Sequence, residues 1–430
     1  MFIPTTKYPT HQLLSIALIL AVSIYSCTFA HADSVILTFS TVGDSRQDPQ
    51  SPDATVKQSA QLNVGNCPIP SGTGLTPNPG LSGQDCKWLQ NTKAWTRIMN
   101  EIQTQKANLL FFNGDMIMGY GKAGVPVTRN STGVNEAVVT NPSIDQVITS
   151  DLVQFYQQYG FWRGMVATMM EKGTYIVPVP GNHEVQCKRC GKKAVVENEN
   201  AWRDNMGDLV IDQTRMNSLL SSTTSVSWDI NNTPVIGGVD GITTDQKQLS
   251  YSFDIGKSHF VVINTDAVGK DSTAPTAWLD ADLTAAKNKG AKSFFVFGHK
   301  PAFFYLYAGA PAIGSTSSLD GKDPAAAKAF WNVITKYKAT YFCGHEHIYK
   351  LDKFLSPDGS GNSAYQVLVG TGGSPFDAAT PTKVATDRMY AWATVKIYKS
   401  GKVVMNTYGI DDTLGKKVVT IDKNVKLPTW

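Results

Sequence analysis

Short apolar runs that end at glycine recur along this chain. Val35–Val42 leads into Gly43-Asp44-Ser45-Arg46, Leu109–Phe112 into Asn113-Gly114-Asp115, and Tyr175–Val179 into Pro180-Gly181-Asn182-His183-Glu184. Phe294–Phe297 leads into Gly298-His299-Lys300-Pro301, and Thr340–Cys343 into Gly344-His345-Glu346-His347. Each run is rich in β-formers and too short for a helix, so each predicts a buried strand with a polar cluster at its carboxyl end. Tyr365–Val369 and Trp392–Tyr398 predict two further strands. Between them the period turns helical: Trp88, Trp95, Ile98, Met99 and Ile102 share one face of a helix over about 87–105. More helices are expected near 144–172, 275–288 and 324–337. Alternating strands and helices imply an α/β class with a covered sheet, and ligands of such sheets bind beyond the carboxyl ends of the strands. All five polar clusters sit there. Residues 47–86, 117–142, 185–248 and 302–323 follow these clusters, are rich in Gly, Ser, Thr and Pro, and read as long loops walling a site.

Composition narrows the class. With 430 residues, 42% hydrophobic and 17% charged, the chain is neither disordered nor short of a core. Its 39 Lys+Arg against 35 Asp+Glu leave a net charge of +4, which gives no reason to expect nucleic acid or an anionic membrane as partner. The amino terminus reads as a signal peptide over residues 1–32. Lys7 supplies its positive end, Leu13–Ile24 its apolar stretch and Ala30-His31-Ala32 its cleavage signature. That stretch is too short to span a bilayer and no later segment comes closer, so a secreted or periplasmic protein without a transmembrane segment is expected.

Cysteine usage agrees with export. Of six cysteines, Cys27 leaves with the signal segment. Cys67 and Cys86 bracket a Pro/Gly/Ser-rich loop that a disulfide would stabilise. Cys187 and Cys190 form a CxxC that suits a local disulfide, a redox pair or half a zinc site; with no second CxxC, the disulfide is preferred. Cys343 reads as a buried strand residue.

The histidines carry the chemistry. Of seven, His11 and His31 lie in the signal segment, leaving His183, His259, His299, His345 and His347. His259, inside an apolar run, reads as structural. The other four share strand-end clusters with Asp44, Asp115 and Asn182. Carboxylates, imidazoles and an amide oxygen suit Zn, Mn or Fe rather than Ca. One carboxylate between two ions, with imidazoles outside, holds a pair about 3.5–4 Å apart that activates water and clamps the oxygens of a phosphoryl transfer. These residue types point to metal-assisted phosphoester hydrolysis.

The order of the clusters resembles the calcineurin-like metallophosphoesterase superfamily, which includes the purple acid phosphatases. That family's series runs GDxH or GDxG, GD, GNHE or GNHD, GH and GHxH. The chain carries Gly43-Asp44, Gly114-Asp115, Gly181 to Glu184, Gly298-His299 and Gly344 to His347 in that order. Gly370-Thr371-Gly372-Gly373 also looks like the glycine turn after the last core strand of many relatives. The resemblance implies a domain over 33–410, with 411–430 a weakly patterned tail, and a four-layer αββα sandwich of two mixed β-sheets flanked by helices. It implies two ions bridged by Asp115, with Asn182, His299 and His345 completing one site and Asp44 and His347 holding the other. His183 would lie near the leaving-group oxygen as general acid or electrostatic stabiliser, with Glu184 orienting its neighbours.

One position departs from the pattern. Arg46 stands where the common DxH places a histidine. Purple acid phosphatases supply a tyrosine three residues after the bridging Asp; that position is Met118 here, and the nearest tyrosine is Tyr120. Three readings stay open: a weakly held ion beside Asp44, a ligand supplied by Tyr120 through an irregular loop, or a centre that works with one ion. Arg46 cannot ligate a cation, because a guanidinium has no lone pair to give. It suits a bidentate contact with a substrate phosphate or an ion pair with a nearby carboxylate.

The expected function is an exported phosphoester hydrolase that attacks with a metal-activated hydroxide, a phosphatase more than a phosphodiesterase, on a phosphorylated small molecule or other phosphoester. The alternative is a catalytically weak, metal-containing binding protein for phosphorylated ligands. Phe303, Phe304, Tyr305 and Tyr307, just after His299, read as pocket lining or as core. No sequence feature sets the oligomeric state.

Overall fold

The protein is described here by a computed structural model covering residues 33–46, 83–124, 127–129, 136–148, 150–188, 190–220, 225–303, 318–374, 376–378, 385–411 and 417–430. The candidate signal segment, Cys67 of the candidate Cys67–Cys86 pair, and Phe304, Tyr305 and Tyr307 lie outside these residues.

Strands β1 (Val35–Val42), β2 (Leu109–Phe112) and β3 (Tyr175–Pro178) enter a first sheet. A second is built from β4 (Val226–Trp228), β5 (Tyr251–Ile255), β6 (Ser258–Val262), β7 (Ser293–Phe297), β8 (Thr340–Cys343), β9 (Tyr349–Leu355) and β10 (Ser363–Val369). The chain then returns to the first sheet with β11 (Met389–Tyr398), β12 (Val403–Asp411) and β13 (Val418–Lys426). The orders are β13-β12-β11-β1-β2-β3 and β9-β10-β8-β7-β6-β5-β4. Both sheets are mixed: β1-β2-β3 and β10-β8-β7-β6 are parallel runs, and the flanking strands are antiparallel.

Side chains alternate between two environments along each central strand, as a pleated strand requires. In β2, Leu109 and Phe111 face the second sheet while Leu110 and Phe112 face helices. In β7, Phe295 and Phe297 face the first sheet while Phe294 and Val296 face outward. The inter-sheet core is aromatic: Phe111 stacks on Phe297 at 3.7 Å and Phe39 meets Phe295 edge-on at 5.1 Å. Helices α1 (Gly83–Thr104), α2 (Asp151–Glu171) and α4 (Val196–Met206) cover the outer face of the first sheet; between α2 and α4 lies the one-turn α3 (Asn182–Val185). Helices α5 (Thr276–Asn288) and α6 (Pro324–Lys336) cover the second. The result is the four-layer αββα sandwich, with helices outside two mixed sheets.

Local chemistry sets the helix starts. The Asp323 carboxylate accepts from the N–H groups of Ala325 and Ala326, with Pro324 at the first helical position of α6. The helix expected over 144–172 is divided into Ile144–Ile148 and α2, because Ser150 adopts an extended conformation and caps α2 through Val153 N. The long loop read over 185–248 is not one. It holds α4, a helix over Gln213–Leu219 and strand β4. Residues 411–430, read as a tail, contain β13, an edge strand with no fully buried residue and therefore little alternation. Among the described residues, no helix is long and apolar enough to cross a membrane.

Candidate metal centre

The parallel runs bring the carboxyl ends of β1, β2, β3, β7, β8 and β10 to one edge, where backbone hydrogen bonds join the two sheets. Gly43 N donates to Val369 O, Gly372 N to Gly43 O, and Ser374 N to Asp44 O. Asp44 N donates to Gly114 O and Gly344 N to His299 O. These contacts leave no room for side chains at two glycines. A Cβ on Gly344 would lie 2.2 Å from Asp44 Oδ2, and one on Gly114, whose φ is +84°, would lie 2.5 Å from His299 Nδ1. Asp44, Arg46, Asp115 and His345 hold φ of 65°, 40°, 55° and 74°. Left-handed backbone at four non-glycine residues is strain stored at a site.

The predicted residues converge. Donor atoms of Asp115, His299 and His345 lie within 4.8 Å of one another, as do those of Asp44, Asp115 and His347. Asp115 belongs to both groups. His299 Nε2 lies 3.1 Å from Asp115 Oδ1, 3.1 Å from His345 Nδ1 and 2.9 Å from Asn182 Oδ1, so Asn182 joins the first group. His347 Nε2 lies 3.6 Å from Asp44 Oδ1. His345 N donates to both Asp44 oxygens at 3.0 Å. All but the half-buried His345 are buried.

This donor set fits cations. Burial pushes the Asp44 carboxyl well above the usual carboxylate range, with the Asp115 charge adding to the push. The Asp115 carboxyl is held well below that range, the His183 and His299 rings outweighing its burial. His299 is also disfavoured as a charged ring by burial, yet Asp115 and Asp44 hold its pKa up to about 10. Ligation needs these groups deprotonated, so cations and protons compete for the same donor atoms.

The surrounding residues fix orientation. His183 Nδ1 lies 2.5 Å from Met118 O; the carbonyl can only accept, so Nδ1 carries hydrogen and Nε2 faces Asp115 Oδ2 at 3.6 Å. Burial pushes the pKa of His183 down to about 3 against the pull of Asp115, with Arg46 adding to the decrease. The Glu184 carboxylate accepts from the N–H groups of Gly181, Asp115, Met116 and Ile117 at 2.8–3.2 Å, clamping two motif loops together. Burial and the Asp115 charge raise its pKa to about 7. Arg46 Nε donates to Ser374 Oγ at 3.0 Å, and Nη2 lies 3.4 Å from His347 Nδ1.

Other residues complete the surroundings, and of these Asn113, Lys300, Asp266 and Asp377 are not singled out by the sequence as site residues. Asn182 Nδ2 donates to Tyr120 Oη at 2.5 Å, which turns the amide oxygen toward His299. Tyr120 also lies on the His183 ring at 3.8 Å, so it stands with Asn182 and His183. Asn113 offers its carbonyl to His299 Nδ1, and Asp377 Oδ2 accepts the His347 N–H at 2.7 Å. Lys300 is buried against Asp266 at 2.6 Å. His259 lies apart, between Asp254 and Asp282. Cys187 and Cys190 are joined as a disulfide, and Cys343 is buried with a free thiol. Phe303 packs on Trp331 and Phe354 in the outer core.

No family profile matches the chain and no curated protein sequence does. Solved structures resemble it. A purple acid phosphatase from yellow lupin (Lupinus luteus) seeds is 13% identical over 91% of this chain and 54% of that one, with a TM-score of 0.47. A dimetal phosphatase from Danio rerio is 13% identical over 91% and 100% of the two chains, at 0.38. A calcineurin-like phosphoesterase from Bacillus subtilis is 10% identical over 92% and 91%, at 0.34. The chain spans about half the length of the lupin protein.

Proposed function

We propose that this chain is an exported, metal-dependent phosphoester hydrolase of the calcineurin-like type, acting as a phosphatase on phosphate monoesters. Asp115 carries the reading: one buried carboxylate belongs to two donor groups at once, as a pair of ions requires. Asp115, Asn182, His299 and His345 would hold one ion, and Asp44, Asp115 and His347 the other. Mixed nitrogen and oxygen donors match Zn, Mn or Fe. When bound, such a pair supplies Lewis-acid charge and activates water near neutral pH.

The chain's own residues orient the reaction. Asn113 holds His299 by Nδ1, which leaves Nε2 for the donor group. Met118 holds His183 by Nδ1, so the neutral ring presents a bare Nε2 beside Asp115; the negative charge of a bound phosphate raises the ring's hold on a proton, which Nε2 takes from water on substrate binding and hands to the leaving oxygen as the ester bond breaks. Arg46 offers a planar fork to two anionic oxygens of the phosphate, and a monoester has one more such oxygen than a diester. Export is supported by the signal-like segment 1–32 and by the Cys187–Cys190 disulfide, since disulfides persist in oxidising compartments.

The test is hydrolysis of 4-nitrophenyl phosphate and bis(4-nitrophenyl) phosphate by the chelator-treated chain reloaded with Zn, Mn or Fe. Metal-dependent turnover of the monoester, lost in the Asn182→Ala/His299→Ala double variant, is expected. Faster turnover of the diester would contradict the monoester assignment. No turnover despite bound ions would favour a metal-containing binding protein for phosphorylated ligands.

A further inference from the structure

Arg46 and His347 share a contact that a fully loaded centre cannot keep. Arg46 Nη2 lies 3.4 Å from His347 Nδ1. A guanidinium only donates, so Nδ1 accepts, and the hydrogen of the neutral ring sits on Nε2, which faces Asp44 Oδ1 at 3.6 Å. An ion in the Asp44–Asp115–His347 group needs a lone pair from this ring. If the ion takes Nε2, the hydrogen moves to Nδ1, which then has nothing to offer Arg46. If the ion takes Nδ1, it competes with Arg46 for a single lone pair. Either way the contact breaks.

Both partners have somewhere to go. Asp377 Oδ1 lies 4.0 Å from His347 Nδ1, and the same carboxylate is tied to the His347 backbone through Oδ2 at 2.7 Å. It can accept a hydrogen from Nδ1 once Arg46 leaves, the usual outer partner of a metal-bound imidazole. Arg46 keeps its Nε bond to Ser374 Oγ at 3.0 Å, so the guanidinium turns about that anchor and carries Nη2 away from His347. A phosphate-type anion is their complementary partner.

We propose that His347 is a two-position switch operated by Arg46. Engaged by Arg46, it keeps the second ion out; a phosphate anion draws Arg46 away and admits the ion. The inference rests on the two-ion reading above and adds to it an order of loading. Coupling is reciprocal, so phosphate and the second ion strengthen each other's binding, while the ion held by Asn182, His299 and His345 is indifferent to Arg46.

The test is calorimetric titration of the chelator-treated full chain with Mn(II), with and without inorganic phosphate. The wild type is expected to bind one ion tightly and a second at least about tenfold more weakly, a gap that phosphate closes. Arg46→Gln should bind the second ion tightly without phosphate and gain nothing from it. Arg46→Lys keeps the charge but not a fork reaching both Ser374 and His347, and should follow Arg46→Gln. Nitrogen-15 imidazole spectra should place the His347 hydrogen on Nε2 in the ion-free chain and show the ring metal-bound, through Nε2 with the hydrogen on Nδ1 or through Nδ1 itself, only when Zn and phosphate are both present. Two equally tight ions indifferent to phosphate, an Arg46→Lys variant matching the wild type, or the hydrogen on Nδ1 before loading would each overturn the switch and leave the two-ion centre standing. A wild type that binds no ion would overturn both.

Discussion

The ring of His299 donates from Nδ1 to the carbonyl oxygen of Asn113 at 2.7 Å, tying the end of β7 to the end of β2 across the two sheets. That bond leaves Nε2 among Asp115, Asn182 and His345. Burial disfavours charge on the ring, but the carboxylates of Asp115 and Asp44 outweigh it and hold its pKa up to about 10. Nε2 must shed its hydrogen to ligate. Loading near neutral pH should therefore release about one proton from His299, and ion affinity should rise as pH approaches about 10. Calorimetry in buffers of different ionisation enthalpy reads the release; heats independent of the buffer would count against it.

Glu184 predicts a coupled loss of stability and affinity. Glu184→Gln turns part of a buried acceptor into a donor facing N–H groups, at a cost of ~1–3 kcal/mol for each acceptor lost. The Asp115 loop would loosen with it, and ion affinity should fall about 10–100-fold. Urea unfolding and metal titration of one variant measure both. A stability loss with unchanged affinity would show that Glu184 holds the fold but does not position Asp115.

How much of this was legible in the sequence follows from strand geometry. Asp44, Asp115, Asn182, His183, His299, His345 and His347 each follow a short apolar run directly. Parallel pairing carries such positions to one edge whatever the loops do. Ser374 and Asp377 reach the centre by a different route, through the turn after Gly370, where no periodicity marks them. Helix α4 was hidden because it buries polar groups: Asn198 bonds to Ala123 N and Gly121 O, and Glu199 accepts from Val268 N. Its apolar stripe shrinks to Ala201, Trp202 and Met206. The break before α2 turned on a single capping serine inside a continuous helical pattern.

His259 predicts a pH dependence of stability away from the centre. Burial opposes its charge, but bonds to Asp254 at 2.7 Å and Asp282 at 2.9 Å raise its pKa to about 9. A raised folded-state value stabilises fully below the unfolded value of about 6.5, and the contribution fades as pH rises through about 9. Its size is ~3 kcal/mol. The wild-type melting temperature should fall over that window, and His259→Gln should lack this part of the slope. Parallel curves for the two proteins would contradict the assignment.

His183 predicts a dependence on the leaving group. If Nε2 delivers the proton to the departing oxygen, His183→Ala should slow alkyl phosphates by about 10²-fold or more and 4-nitrophenyl phosphate far less, because nitrophenolate leaves without help. Equal losses on both substrates would assign His183 to charge stabilisation alone.

The most direct test of the centre is Asp115→Asn, which keeps the shape of the shared ligand and removes its charge. Ion content by mass spectrometry and turnover of 4-nitrophenyl phosphate are measured on the same samples of the full chain. Two ions in the wild type, at most one in the variant, and turnover reduced by about 10³-fold or more are expected. A variant that keeps two ions and full turnover would contradict the claim that Asp115 bridges a pair.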